Sequence, residues 1–258
     1  MLPAFFFGHG NPMNALASNN FTQVWSAIGG RVPFPKAIVA ISAHWYIDST
    51  RVTAMSMPRT IHDFSGFPPV LSQMQYPAPG KPELATRITE LLAPVTVGLD
   101  YQWGLDHGTW SILHHIYPQS NIPVIQLSMD ATQPASFHYA LGKRLAVLRD
   151  EGVLIIGSGN IVHNLRAYMW DASAAPLAAT TRFEQCVRER LLAGDHTALI
   201  NYAGLGADVE FAIPSPEHYL PLLYILGLQQ DGEKITFPVE GHEGGSISML
   251  SVEINGEA

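Results

Sequence analysis

The chain is poor in cysteine, in charged residues and in long apolar runs, and each of these shortages excludes a class of protein. Its 258 residues include one cysteine, Cys186, which excludes an intramolecular disulfide framework and a zinc site built from several cysteines. Charged residues make up only 14%, the formal net charge is −8, and no basic run occurs that could hold a phosphate backbone. No apolar stretch reaches the roughly 20 residues that a membrane helix needs. We therefore expect neither nucleic acid nor a membrane as a partner.

The N-terminal segment lacks the features of a secretory signal. Residues 1–7 are apolar, but no basic region precedes them, and the glycine and proline of residues 8–12 interrupt the run too early. With 47% hydrophobic residues the chain has the composition of a folded protein instead of a disordered one. These features predict a cytoplasmic protein, and the low charge content is compatible with a monomer or a homodimer.

Apolar runs with strand character alternate with segments of helical periodicity. This alternation predicts one α/β domain over residues 1–258, with a central mixed or mainly parallel sheet flanked by helices. A helix is also expected after Pro214, and the Pro- and Gly-rich segment 48–80 is expected to be a long loop over the site. The predicted strands are 2–7, 37–43, 122–128, 153–158 and 246–254, and the predicted helices include 82–92 and 135–149.

Eleven histidines stand out in a chain with so few charges. Three of them, His9, His44 and His163, follow strand-like runs, and His218 lies at a proline-rich helix start. The carboxyl ends of strands in an open α/β sheet converge on one crevice. Several imidazoles delivered there predict a site for a divalent metal ion at the carboxyl ends of the strands. The alternative is four unrelated histidines, each hydrogen-bonded in its own surroundings.

Two further histidines have weaker context. His107 follows Asp106 and precedes Gly108, where an imidazole could approach a flat ligand and exchange a proton. His62 belongs to a polar pair, with Asp63, in an aromatic loop, and a loop position in solvent is the alternative. The remaining histidines have no supporting context and are expected to be surface or packing residues: His114, His115, His138, His196 and His242.

Motifs of other enzyme classes are absent from the sequence. There is no GxGxxG fingerprint, no phosphate-binding loop with its lysine, no GxSxG nucleophile elbow and no HExxH zinc motif. These absences argue against nucleotide binding and serine hydrolysis. Aromatic residues near the histidines favour a flat aromatic ligand, although aromatic side chains also fill protein cores: Trp45, Phe64, Phe67, Trp103, Trp110 and Tyr219.

Six segments, taken in order, resemble a known family. Together they are similar to the 4,5-DOPA extradiol dioxygenases of bacteria and plants, within the class III extradiol ring-cleavage superfamily. Each motif is modest alone, but their order along nearly the whole chain makes the match specific. The segments are GHGNPM (8–13), SAHW (42–45), IHDFSGFP (61–68), GLDHG (104–108), GSGNIVHNL (157–165) and PEHYLPL (216–222).

The resemblance implies roles for the histidines. It makes His9 and His44 metal ligands, with His218 or the adjacent Glu217 in the third position, of which we expect His218. His163 is implied as the acid/base beside the metal or as a further ligand. His107 is implied to stand near the metal or to face the substrate.

The resemblance also implies an activity. A catechol such as DOPA and dioxygen would react at an iron(II) site to give a muconic semialdehyde. The expected ligands are all histidines, however, a set that suits zinc, which cannot exchange electrons with dioxygen. The alternatives are therefore a zinc-binding relative without oxygenase activity, acting as a binding module, and a zinc hydrolase using Asp106 or Glu217 as base. Arg166 is a candidate partner for a substrate carboxylate.

Overall fold

Four apolar strands form the parallel centre of an eight-stranded sheet in the computed structural model, which describes residues 1–171 and 174–255. These strands are short, continuous and buried on both faces, as expected for the middle of an α/β sheet. In sheet order they are β5 (Val124–Asp130), β2 (Ala37–Ile47), β6 (Val153–Gly159) and β1 (Ala4–Gly8).

Four shorter strands complete the sheet on its two sides. On one side β3 pairs antiparallel with β5 and parallel with β4, and on the other β10 and β7 continue antiparallel from β1. The predicted mixed, mainly parallel α/β sheet is therefore confirmed. The outer strands are β3 (Arg51–Thr53), β4 (Gly98–Asp100), β7 (Lys234–Thr236) and β10 (Val252–Asn255), and a separate pair joins β8 (His242–Glu243) to β9 (Ile247–Ser248).

Helices cover both faces of the sheet. Alternate residues of β1 point to opposite sides, so that Phe6 joins the core under α3, α5, α7 and α10, while Phe5 and Phe7 join the core under α1, α2 and α4. None of the helices within residues 1–171 and 174–255 is long and apolar enough to cross a bilayer. The helices are α1 (Asn20–Arg31), α2 (Pro69–Ser72), α3 (Pro82–Leu92), α4 (His107–Ile116), α5 (Ala135–Leu145), α6 (Val147–Asp150), α7 (Ala178–Leu192), α8 (His196–Ile200), α9 (Val209–Ala212) and α10 (Leu220–Gly227).

Some element boundaries differ from the prediction. The helix expected over 135–149 is interrupted at Ala146, and its last turn brings the buried Arg149 guanidinium to the Leu2 and Leu228 carbonyl oxygens. The segment 48–80 is not all loop, because it contains β3 and α2, but its residues 63–67 do line the candidate site.

The late strand expected over 246–254 is wrong as a single element. It divides into β9 and β10, which belong to different sheets. Residues 246–249 are buried on every side, so their alternation of serine with apolar residues does not mark an inner and an outer face. Their amides bond to separate segments instead: that of Ser248 donates to Val162 and that of Met249 to Gly241.

Candidate active site

Five imidazoles meet at the carboxyl edge of the parallel strands. His9 directly follows β1, and His44 lies near the end of β2, within a register shift between Ile41 and Tyr46. His163 follows β6, His107 opens α4, and His218 precedes α10. The His9 ring centroid lies 5.1 Å from that of His44, 5.8 Å from that of His107 and 5.3 Å from that of His218. The chain thus brings together every histidine singled out from the strand and helix ends; their chemical roles stay predictions.

Two glycines allow the backbones that carry these rings to approach each other. A Cβ on Gly108, in the first turn of α4, would lie 2.7 Å from Ser42 Oγ and 2.9 Å from the His44 ring. A Cβ on Gly159, at the end of β6, would overlap the His218 carbonyl oxygen. The glycines of the 157–159 segment therefore serve close packing.

His9 is held by a hydrogen bond that fixes its proton. Its Nδ1 lies 2.8 Å from Ser158 Oγ, and that hydroxyl donates to the Gly108 carbonyl oxygen at 2.5 Å. Since the serine proton is committed to the carbonyl, Nδ1 of His9 must be the donor to Ser158. Its Nε2 is then the unprotonated nitrogen, and it lies 3.3 Å from Nε2 of His44.

A carboxylate that the sequence reasoning did not assign lies between two of the rings. Asp63 places Oδ1 2.9 Å from Nδ1 of His107 and Oδ2 3.2 Å from Nδ1 of His44. Its neighbour His62 turns the other way, with Nε2 2.8 Å from the Met74 carbonyl oxygen. The only signal for Asp63 was its place beside His62 in a motif of the family resemblance, and nothing in that spacing tells which side chain faces inward.

His163 and His218 stack face to face. Their ring centroids are 3.4 Å apart and their planes differ by 5°. Glu217 lies outside this pair, with Oε1 3.2 Å from Nδ1 of His218. The other ring nitrogen of His218, Nε2, is buried and has no hydrogen-bond partner among the residues that the structure describes.

The crevice keeps four of its histidines neutral. Burial, followed by the neighbouring imidazoles, lowers the pKa of His9 and His218 well below the usual value. Burial also lowers the pKa of His44 to about 3 and that of His163 to about 4. Burial opposes the ionisation of Asp63, but its bonds to His107 and the nearby His44 hold its pKa at about 2. Near neutral pH these four imidazoles are therefore neutral, beside an ionised carboxylate.

These residues fit a metal ion. Two nitrogens that bind one ion at about 2.1 Å in tetrahedral geometry lie roughly 3.4 Å apart, close to the 3.3 Å between Nε2 of His9 and Nε2 of His44. The buried, unpartnered Nε2 of His218 gains a partner only if a ligand or ion reaches it. Neutral imidazole is also the form that binds metals.

A pocket of about 460 Å³ opens above the histidines, within the usual size range of small-molecule sites. His44, His107, His163 and His218 contribute to its base, and aromatic and apolar side chains form much of the wall. Of the aromatics named from the sequence, Phe64 and Phe67 line it, whereas Tyr168 and Trp170 were missed. The apolar lining is Phe64, Phe67, Leu165, Tyr168, Trp170 and Ile247.

Other candidates lie outside the crevice. Asp106 is fully buried and accepts hydrogen bonds from Ser42 Oγ and Gln126 Nε2, both at 2.7 Å. Arg166 is exposed and is not part of the pocket wall. Three of the remaining histidines hydrogen-bond elsewhere: His115 to Asn14, His138 to Tyr224, and His196 to Tyr139 and Gln229. Nε2 of His242 lies 3.1 Å from a carboxylate oxygen of Glu184.

Comparison with known proteins gives a consistent result. Residues 9–246 match the family described as the catalytic LigB subunit of aromatic ring-opening dioxygenase. The chain is 49% identical, over 98% of its length and 94% of the relative's, to the 4,5-DOPA dioxygenase extradiol of Escherichia coli strain K12. It is 39% identical, over 96% of its length and 94% of the relative's, to the protein of the same name from Beta vulgaris.

A solved structure agrees with the fold. The crystal structure of uncharacterized protein JW3007 from Escherichia coli K12 superimposes with a TM-score of 0.87 and 45% sequence identity, covering 99% of this chain and 100% of that one. The family match spans every histidine of the crevice, from His9 to His218. The chain therefore belongs to the LigB family of aromatic ring-opening dioxygenases and is an extradiol ring-opening enzyme.

Proposed function

We propose that the enzyme opens the ring of a catechol that carries a side chain, such as DOPA, with iron(II) and dioxygen, and releases a muconic semialdehyde. The observation that carries this proposal is the convergence of imidazoles at an aromatic-walled pocket. Ligand atoms of His9, His44 and His107 lie within 4.8 Å of one another, as do those of His163, Glu217 and His218. Both relatives are named 4,5-DOPA dioxygenase extradiol, which supports this substrate. The proposal treats residues 1–258 as one catalytic domain, because one eight-stranded sheet runs through the described residues.

The family uses a metal, and we assign it to His9, His44 and His218. The 3.3 Å separation of the first two Nε2 atoms and the unpartnered Nε2 of the third support this set. The stacking of His163 on His218 supports a different role for His163. Because the two rings stack, with centroids 3.4 Å apart, we assign His218 alone of the pair as the residue that would hold the metal and leave His163 beside it.

His163 and His107 are therefore assigned to proton transfer. His163 is neutral near pH 7, because burial lowers its pKa to about 4, so it can accept a proton from a catechol hydroxyl in the pocket. His107 lines the same pocket, and its Nδ1 is held by Asp63. The bound ion would stabilise the catecholate anion and, as iron(II), exchange electrons with dioxygen. Phe64, Phe67 and Trp170 would hold the flat ring and limit the access of water.

The zinc alternatives have weaker support. A hydrolase needs a free carboxylate base, but Asp106 is enclosed by its hydrogen bonds, and Glu217 contacts Ser215 and the outer nitrogen of His218. Both carboxylate oxygens of Asp63 already contact imidazoles, those of His44 and His107, so Asp63 is not a free base either. A relative that only binds zinc would need the metal-binding histidines, but it would not need a further histidine such as His163 beside them as a base.

The test is anaerobic reconstitution with iron(II), followed by oxygen uptake and a visible-absorbance scan with DOPA and with unsubstituted catechol. We expect a yellow product formed with matching oxygen consumption, and little turnover in a zinc-loaded sample. His62→Gln serves as a control, because this histidine is adjacent in sequence but turned away from the crevice. No turnover of any catechol by the iron form would contradict the proposal.

A further inference from the structure

One carboxylate contacts two imidazoles of the site. Asp63 Oδ2 lies 3.2 Å from Nδ1 of His44, and Oδ1 lies 2.9 Å from Nδ1 of His107. Oδ1 also accepts a hydrogen bond from the backbone N–H of His107 at 3.0 Å. The two rings are close, with centroids 3.9 Å apart. The side chain of Asp63 is 19% exposed, so protein surrounds most of this arrangement.

The arrangement determines where the two rings carry their protons. An ionised carboxylate only accepts hydrogen bonds, so each imidazole that faces it must place an N–H at Nδ1. In a neutral imidazole the other nitrogen then has a free lone pair. For His44 that nitrogen is Nε2, which lies 3.3 Å from Nε2 of His9.

The same reasoning from Ser158 leaves Nε2 of His9 unprotonated. Two lone pairs therefore face each other across 3.3 Å. No proton lies between the two nitrogens to stabilise this contact, but a shared cation would. We infer that Asp63 is a positioning residue: it keeps the protons of His44 and His107 on Nδ1 and so leaves Nε2 of His44 free to bind the metal. This inference rests on the metal site proposed above and not on the choice of substrate.

The two oxygens of Asp63 have different partners, which makes the inference testable. Oδ1 accepts from a backbone N–H, whereas Oδ2 contacts the His44 ring. An asparagine at this position offers one acceptor and one donor. The backbone N–H of His107 can only donate, so the amide oxygen must stay where Oδ1 is now. The amide NH₂ then faces His44 and requires its Nδ1 to accept. The proton of His44 moves to Nε2, the nitrogen that the metal needs.

An alanine has a milder effect. Asp63→Ala removes the acceptor from both rings but imposes no tautomer, so His44 can still present Nε2. Loss of an outer hydrogen-bond partner of a metal-binding histidine typically lowers metal affinity about 10–100-fold. We expect Asp63→Ala to fall near 10-fold and Asp63→Asn, although closer in shape to aspartate, to reach or exceed 100-fold.

The experiment measures metal affinity and tautomers, without any catechol. Competition with a chromophoric chelator gives the dissociation constants of Zn(II) and Co(II) for the wild type, Asp63→Asn and Asp63→Ala. Two-bond ¹⁵N–¹H correlation spectra of the metal-free protein, labelled at histidine and assigned with His44→Gln, show which nitrogen of His44 is protonated. Asp48→Asn is the matched control, because Asp48 is exposed and lies outside the pocket wall.

The inference is supported if His44 is protonated at Nδ1 in the wild type and at Nε2 in Asp63→Asn, and if Asp63→Asn binds metal more weakly than Asp63→Ala. Equal affinities of the two variants would overturn it. So would a wild-type His44 protonated at Nε2, a result that needs no variant to fold. Inactivity of the iron form towards catechols would contradict the proposed function alone, because neither readout here involves a substrate.

Discussion

At the scale of the residue, His9 has the most constrained surroundings of the crevice. It is 2% exposed, one ring nitrogen is bonded to Ser158, and the other faces His44. A side chain with this arrangement has few conformations to lose when a metal binds. The site is therefore organised before the ion arrives, as tight and selective binding requires.

Removal of a proposed ligand should abolish metal retention. Loss of the outer hydrogen-bond partner of a metal ligand lowers metal affinity about 10–100-fold. For His9→Ala and His44→Ala, which remove the ligand itself, we expect a larger loss of affinity. The fold should persist, because the sheet is held by apolar residues away from the crevice. Elemental analysis and chelator competition measure the metal content and affinity, and circular dichroism checks the fold. His62→Gln is the control. Full metal content in either alanine variant would contradict the ligand assignment.

The tryptophan at the pocket mouth should contribute to substrate binding. Trp170 is 78% exposed although it lines the pocket, and its ring centroid is 6.4 Å from that of Phe67. Because aromatic contacts contribute about 1 kcal/mol, Trp170→Ala should raise the KM for a catechol roughly fivefold, with kcat less affected. Trp170→Phe should restore most of the affinity.

The comparison for this measurement is Tyr101→Ala. Tyr101 is also exposed, at 65%, but it is not part of the pocket wall. A change in KM of the same size in both variants would mean that Trp170 has no special role.

Sequence reasoning found the histidines of the site but not the carboxylate. The histidines follow strand ends, and the topology of an α/β sheet brings such positions together without any knowledge of side-chain direction. Asp63 lies in a loop, where no periodicity shows which of two adjacent polar residues turns inward. His62 packs against Phe64 and against Trp110, and the second contact joins residues distant in sequence, so no local pattern reveals the orientation.

At the scale of the element, α10 and the segment before it determine the position of His218. All eight residues of α10 are buried, and the helix packs against β6 and α5. The amide of Asn160 donates to the His218 carbonyl oxygen at 2.9 Å, which ties this segment to the end of β6. His218 is thus positioned by the backbone of a neighbouring strand.

Substitution of Gly159 should displace His218 without removing it. The Cβ of Gly159→Ala would overlap the His218 carbonyl oxygen, so this backbone must move. We expect metal affinity to fall at least about 10-fold, as for a disturbed ligand support. The shift can also reach His9, whose backbone N–H donates to the Gly159 carbonyl oxygen at 3.0 Å. Chelator competition measures the change.

Gly30→Ala is the control for this substitution. Gly30 lies in α1, with open space where a Cβ would be. This variant should bind metal normally and gain up to about 1 kcal/mol of stability from the better helix propensity of alanine. Unchanged metal binding in Gly159→Ala would show that the segment before α10 tolerates displacement.

The success of the sequence analysis depended on the kind of element. The buried central strands and α3 were found because continuous apolar runs and a clear helical period identify them. The division into β9 and β10 was not predicted. Residues 246–249 are buried on all sides, so their alternation of serine with apolar residues does not separate a buried face from an exposed one. The position of His44 inside β2 also depends on a register shift that no residue pattern indicates.

At the scale of the whole molecule, neutral buried histidines make the metal-free protein sensitive to acid. His138 is fully buried, and burial lowers its pKa to about 4 from the 6.5 expected in the unfolded chain. Between these two values the unfolded state binds a proton that the folded state does not, so stability falls as the pH falls from 6.5 towards 4. For His138 alone the loss is on the order of 3 kcal/mol. The lowered pKa values of the crevice histidines act in the same direction.

Urea unfolding in the presence of a chelator, at pH 7.5 and at pH 5, measures this dependence. The free energy of unfolding should be lower at pH 5, and His138→Gln should reduce the difference between the two conditions by removing one of the titrating groups. A wild-type protein equally stable at both values would contradict the neutral burial of these rings. The chelator is needed because bound metal adds a pH dependence of its own.

The order of strands has a consequence for how the chain reaches this state. Strand β1 is made first, yet it lies between β6 and β10, and the Gly8 amide bonds to Ser251, 243 residues further along the chain. Contacts between such distant segments form slowly, because a long loop must close before they stabilise anything. On the ribosome, β1 can pair with β6 only after residue 159 has been made and with β10 only after residue 255, so at least one edge of the run Phe5 to Phe7 stays unpaired until then. The crevice takes its histidines from positions 9 to 218, so it can close only after His218 has been made, and we expect nascent chains to be prone to aggregation until then.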